Sequence, residues 1–279
     1  MPHFTLDFPH ISLAFAEIGT GKNILLCAHG YKQTKEVFIE LFDKVPSGWK
    51  ILSFDQPMHG ESIWENEEIG FDAAFFPLLW EKLIERYPAA TWHLLGFSMG
   101  GKTAMMLQKT APVPIPKMLF IAPAGVLTHP LTQFFSYHFW GSKIFTFFLK
   151  KPYLILPIFE LLNKLKMMRP FSYRFAKSQF EPKENREYML KFVPIYRRFH
   201  FSFEKYAQYL SAQPIELYVL WGMEDEVLPA KQANYLQKHL QTANIMLLPK
   251  QKHNIITTNK GIVAAWIKTI LTQKNNFDL

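Results

Sequence analysis

Ser98 stands between glycines in Gly96-Phe97-Ser98-Met99-Gly100-Gly101. The apolar run 91–95 precedes it and a helix-spaced stretch follows, which puts the serine on a strand-to-helix turn. So tight a turn needs glycines, because side chains at the flanking positions would collide, and it leaves the serine strained and exposed. The helix start also aims its free N–H groups at charge developing nearby. This is the position of a nucleophile; a glycine turn carrying a chance serine is the plain alternative. A serine hydroxyl is weak at neutral pH and needs a histidine base, itself held in one tautomer by a carboxylate. Downstream, the run 217–221 empties into Gly222-Met223-Glu224-Asp225-Glu226, with Pro229 suited to open the next helix. Asp225 is the carboxylate chosen, although Glu224 and Glu226 flank it and all three could simply solvate a loop. His253 follows the run 245–248 by a short loop. Of the 10 histidines it alone has that position, whereas His239 falls within a helix.

The elements that must carry these residues follow a strand–helix rhythm. Short apolar runs at 24–28, 51–54, 92–97 and 118–122 end at Gly, Pro, Asp or His and read as strands buried on both faces. Helical spacing at 71–87 and 99–110 separates them, and such alternation implies a parallel sheet. The rhythm stops near residue 125. A helical, aromatic, Pro-punctuated region runs to about 212, and then strands at 215–221 and 245–248 alternate with helices at 229–240 and 261–272. The stretches 4–8 and 12–17 read as a hairpin through Pro9 and His10. The expected architecture is an α/β core at 1–125 and 213–279, a mostly parallel sheet flanked by helices, with a helical module inserted at 126–212.

The chain order Ser98, Asp225, His253 and this strand layout resemble the α/β-hydrolase superfamily. Cys27-Ala28-His29-Gly30-Tyr31 looks like that family's His-Gly loop, and by the resemblance the backbone N–H groups of Tyr31 and Met99 form the oxyanion hole. His29, Gly30, Gly96 and Gly100 are then structural parts of the motif. Asp55-Gln56-Pro57-Met58-His59-Gly60-Glu61-Ser62 is similar to the family's Asp-x-x-Gly-x-Gly-x-Ser turn, with Met58 replacing the first glycine. Lys252 stands where a glycine commonly precedes the histidine. His29 and His59 have no carboxylate identifiable from sequence and read as groups satisfying loop backbone. The resemblance implies a capped serine hydrolase that cleaves an ester or thioester through an acyl-enzyme, with no metal or organic cofactor. A carbon–carbon bond hydrolase acting on a diketone-like substrate, or a ligand receptor with little turnover, would use the same scaffold.

Composition bounds the rest. At 279 residues, 49% hydrophobic and 19% charged, the chain is neither disordered nor fibrous. One cysteine excludes a disulfide framework and multi-cysteine metal sites. It also fits a cytoplasmic setting, as does an N-terminus without a secretory pattern. The formal charge is +8, and residues 141–206 hold 14 Lys/Arg, Arg197 and Arg198 among them, against five Glu, a local net of +9. The remainder has 17 basic and 18 acidic residues, a net of −1. That cationic module reads as solvated helix faces, as a dock for an acidic carrier protein bearing an acyl group, or as a surface for anionic lipid. Nucleic acid is not expected, because no helix-turn-helix, RNA-binding aromatic signature or zinc module is present. Phe134, Phe135, Phe139, Trp140, Phe145, Phe147 and Phe148 would supply an apolar roof for a small-molecule acyl substrate. Lys102 stands out, since a cation in the first turn of a helix opposes its dipole.

Overall fold

The computed structural model describes residues 2–42, 44–66, 68–127, 133–135, 138–196, 199 and 202–273. Arg197 and Arg198 lie outside the described residues. Two compact units emerge, one comprising Met1–Glu65, Ala73–Leu127 and Phe201–Leu279, the other Asn66–Asp72 and Thr128–His200.

The first unit is built on one nine-stranded sheet in the order β1-β2-β4-β3-β6-β7-β8-β9, with β5 pairing β2. The N-terminal hairpin, β1 (His3–Phe8) and β2 (Ile11–Gly19), is antiparallel, and β2 also runs antiparallel to β4 (Trp49–Phe54) and to β5 (Ile63–Trp64). From β4 onward every pairing is parallel, through β3 (Asn23–Ala28), β6 (Thr91–Phe97), β7 (Lys117–Ile121), β8 (Glu216–Gly222) and β9 (Asn244–Leu248). Parallel strands covered on both faces must be apolar throughout, which is why they read as unbroken hydrophobic runs. Leu25, Ile51, Leu95 and Leu119 share one core cluster with Phe38 of α1 (Glu36–Ile39), Ile255 of α10 (Ile255–Thr258) and Ile267 of α11 (Lys260–Thr272). Each such side chain contributes roughly 1.5–3 kcal/mol by leaving water. Trp80 of α2 (Phe75–Arg86) is fully buried and donates its indole N–H to the Leu107 carbonyl of α3 (Met99–Thr110) at 2.9 Å. β9 closes the sheet as an edge strand, with Met246 and Leu247 exposed.

The second unit is helical: α4 (Phe139–Lys150), α5 (Pro152–Lys164), α6 (Pro170–Phe180) and α7 (Lys183–Tyr196). Phe180 of α6 gathers Phe145 of α4 and Phe159 of α5 edge-on, both at 5.5 Å between ring centroids. The segment Asn66–Asp72 belongs here because the Phe71 N–H donates to the Ile195 carbonyl at 3.0 Å, and its ring packs on Tyr196 and Phe199. At the other end, α8 (Phe203–Ser211) and α9 (Lys231–His239) belong to the first unit, joined by a hydrogen bond from the Tyr235 hydroxyl to Glu204. Among the aromatics expected to roof a pocket, Phe134, Phe139, Trp140 and Phe147 are exposed to solvent.

Candidate active site

β6 lies in the interior of the sheet and delivers Ser98 at its C-terminal end. Ser98 adopts φ +51°, ψ −119°, a conformation that side chains rarely tolerate. Neighbours hold it there. Its N–H donates to the Ile121 carbonyl at 3.0 Å, and its carbonyl accepts from the N–H groups of Gly101 (2.9 Å) and Ala124 (2.8 Å). The flanking glycines are steric necessities: a Cβ on Gly100 would lie 1.8 Å from the Ala28 carbonyl oxygen, and one on Gly96 would lie 2.4 Å from the carbonyl oxygen of Gly100. The elbow can therefore form only where α3 touches the backbone of β3 and β6.

Asp225 and His253 arrive on the loops after β8 and β9. Those loops are fastened to each other by the Met223 N–H donating to Leu248 O and the Glu224 N–H donating to Gln251 O, both at 2.9 Å. Gly222 permits the approach, since a Cβ there would sit 2.4 Å from Gln251 O. Sequence reasoning passed over this residue; its only local signal is a glycine where a strand becomes an acidic loop. Of the three acidic residues, Asp225 is buried while Glu224 and Glu226 are exposed. Its Oδ1 accepts from the N–H groups of Val227 (2.8 Å) and Leu228 (2.7 Å), so the carboxylate is fixed and its other oxygen is aimed. Oδ2 lies 2.6 Å from His253 Nδ1, and His253 Nε2 lies 2.8 Å from Ser98 Oγ. Phe97 packs against the imidazole with 5.3 Å between ring centroids. Three side chains distant in sequence thus form one hydrogen-bonded chain. It can take a proton from a hydroxyl and stabilise the imidazolium that results.

The loop after β3 is equally determined. His29 is fully buried; the Gln56 N–H donates to its Nε2 at 3.0 Å, which leaves the proton on Nδ1, 2.8 Å from Gly30 O. Burial, reinforced by the neighbouring His59, pushes its pKa down to about 3, so it remains neutral. Its ring nitrogens are engaged by the backbone of Gly30 and Gln56 rather than by Ser98, Asp225 or His253. A Cβ on Gly30 would meet the Phe97 ring at 2.9 Å, which ties this loop to the base of the elbow. Tyr31 follows directly. Burial raises its phenol to about 12. Met99 is the first residue of α3, so its N–H lies outside the intrahelical ladder. Among the described residues no group of three or more His, Cys, Asp or Glu is placed to hold a metal ion.

The Asp55–Ser62 turn braces β2 and β4. Buried Asp55 accepts from the Lys35 N–H (2.6 Å), Lys35 Nζ (3.0 Å) and the Glu61 N–H (2.9 Å), and Lys35 also meets Glu61 at 2.6 Å. The Ser62 hydroxyl donates to Asp55 O and accepts from the Ala14 N–H. Met58, in place of a glycine, has φ +66°, so the turn keeps a left-handed backbone and carries its strain in a methionine.

A sequence model of the alpha/beta hydrolase fold matches residues 23–259. The chain belongs to the alpha/beta hydrolase family. Human monoacylglycerol lipase ABHD6 is 20% identical over 271 residues, 92% of this chain and 77% of that protein. A zebrafish serine hydrolase-like protein is 24% identical over 112 residues, 40% of this chain, and the match spans only about a third (34%) of that relative's length. Among solved structures, MGS-M2, an alpha/beta hydrolase enzyme from a Medee basin deep-sea metagenome library, superposes with TM-score 0.69 at 17% identity, covering 99% of this chain and 100% of that one. Likeness at that identity is likeness of fold. No helix among the described residues of this α/β hydrolase is long and apolar enough to cross a membrane.

Proposed function

We propose that the protein is a serine hydrolase that cleaves a carboxylic ester or thioester bearing an apolar acyl group. The observation that carries the reading is the hydrogen-bonded chain Ser98–His253–Asp225, with Ser98 held on a strained elbow. Ser98 Oγ attacks the acyl carbonyl while His253 Nε2 takes its proton, and the His253 Nδ1–H donates to Asp225, which stabilises the imidazolium. The N–H groups of Tyr31 and Met99 receive the oxyanion. Collapse of the tetrahedral intermediate expels the alcohol or thiol, which receives its proton from His253, and leaves Ser98 acylated. Water activated by His253 then releases the carboxylic acid.

The test is a panel of chromogenic acyl esters and thioesters of increasing chain length, run on the wild type and on Ser98→Ala. Turnover that Ser98→Ala lowers by about 10⁴-fold or more is the expected result. Turnover on no ester or thioester, with saturable ligand-induced stabilisation instead, would assign a receptor. Cleavage of diketones alone would assign carbon–carbon bond hydrolysis.

A further inference from the structure

α5 is apolar on nearly every side, a pattern that ordinarily marks a buried helix, yet it contains no buried residue. Its inward side is occupied by Phe159 against Phe180. Its outward side is a second apolar stripe: Leu154, Ile158, Leu161 and, one residue beyond the helix, Leu165 recur at intervals of four, three and four and so share one face. α4 repeats the arrangement with Trp140, Ile144 and Phe147. These seven side chains are each 41–65% exposed. A run of large apolar groups on two consecutive helices is far more than scattered surface hydrophobicity.

The charges sit beside this stripe rather than opposite it. Lys143 Nζ lies 4.3 Å from the ring centroid of Phe139 and 5.5 Å from that of Trp140, and Lys151 Nζ lies 5.1 Å from that of Phe147. Residues 139–169 contain six Lys/Arg and one acidic residue, Glu160, a net of +5. A second copy of the same face would bring +5 against +5, so self-association is opposed electrostatically. An acidic protein would match the charge but would also need an apolar groove long enough for two helices. A bilayer supplies every component at once: hydrocarbon for the aliphatic stripe, the interfacial layer for Trp140 and the exposed Tyr153, and anionic headgroups for the flanking lysines.

We propose that the α4–α5 face docks on an anionic lipid bilayer, lying in its interface without spanning it. Binding requires no turnover, so this inference stands or falls independently of the hydrolase reading. The experiment is co-sedimentation of the full chain with phosphatidylcholine vesicles and with phosphatidylserine-rich vesicles, at low and high salt. Three proteins are compared: wild type, Leu154→Ser/Ile158→Ser and Lys150→Glu/Lys151→Glu. Unchanged circular dichroism and thermal transitions establish that the variants fold. The expected result is preference for the phosphatidylserine vesicles, weakened by salt, falling about tenfold or more in the serine variant and about fivefold per unit of charge, hence about 25-fold per reversed lysine. Quenching by bromine-labelled lipid is expected in the wild type and reduced in Trp140→Phe. No partitioning to anionic vesicles overturns the proposal, as does partitioning that the serine variant leaves intact. A dimer in light scattering that the serine variant dissolves, or binding to a purified acidic acyl carrier protein but not to vesicles, would reassign the face to that occupant.

Discussion

Lys102 occupies the first turn of α3, where a positive charge opposes the helix dipole. The structure removes the contradiction, because the side chain is buried and burial pushes its pKa down to about 7. The unfolded lysine titrates near 10.5, so between about pH 7 and that value the unfolded chain holds a proton that the folded protein lacks. Stability therefore rises with pH across this window, and below it folding carries the cost of a buried ammonium. In urea denaturation, the wild type should gain on the order of 3–4 kcal/mol across that window, and Lys102→Met should flatten the rise. A slope that survives the substitution would assign it to another group. Ser98 and His253 were legible in the sequence because each carries a local signature, a glycine-framed turn or a loop following a late strand. The choice of Asp225 over Glu224 and Glu226 was less legible. Burial and two backbone N–H donors distinguish it, and those come from a loop conformation that composition does not encode.

Long elements announce themselves and short ones do not. α3 spans the same twelve residues, 99–110, that helical spacing marks out, and the parallel strands fall within two residues of their apolar runs. α1 and α10, four residues each, and β5, with two, are too brief to establish a period. Between such elements the turns carry their own energetics. Because Met58 holds φ +66°, Met58→Gly should stabilise the protein by about 1 kcal/mol, less the greater freedom of glycine in the unfolded chain. A thermal melt checks this; a lower midpoint would mean that the methionine side chain contributes more packing than its backbone costs. The Lys35–Asp55–Glu61 cluster in the same region spans up to 26 residues of sequence and becomes visible only once the chain is folded.

At the scale of the molecule, buried imidazoles set its response to acid. His29 and His93 are pushed down to about 3 by burial, and His59 is lowered as well. Between about pH 6.5 and 3 the unfolded chain binds protons that the fold excludes, so stability present above 6.5 is lost as the pH falls through that window. Among the described residues neither ring nitrogen of His93 has a hydrogen-bond partner. His93→Leu should therefore gain about 1–2 kcal/mol at neutral pH and should unfold at a lower pH than the wild type, as measured by acid titration of the circular dichroism signal. An unchanged acid midpoint would mean that other groups govern acid unfolding. The change from strand rhythm to helices near residue 125 was readable, but the membership of Asn66–Asp72 in the helical unit was not. It rests on a backbone hydrogen bond between residues 71 and 195, more than a hundred positions apart.

The bond from the Ala124 N–H to the Ser98 carbonyl completes the clamp on the elbow three residues before the chain leaves its first unit at Leu127. The backbone clamp on Ser98 is thus assembled upstream of the excursion, whereas Asp225 and His253 enter only after the chain has returned. Substitutions confined to the intervening helices therefore leave in place the bonds that set the Ser98 backbone.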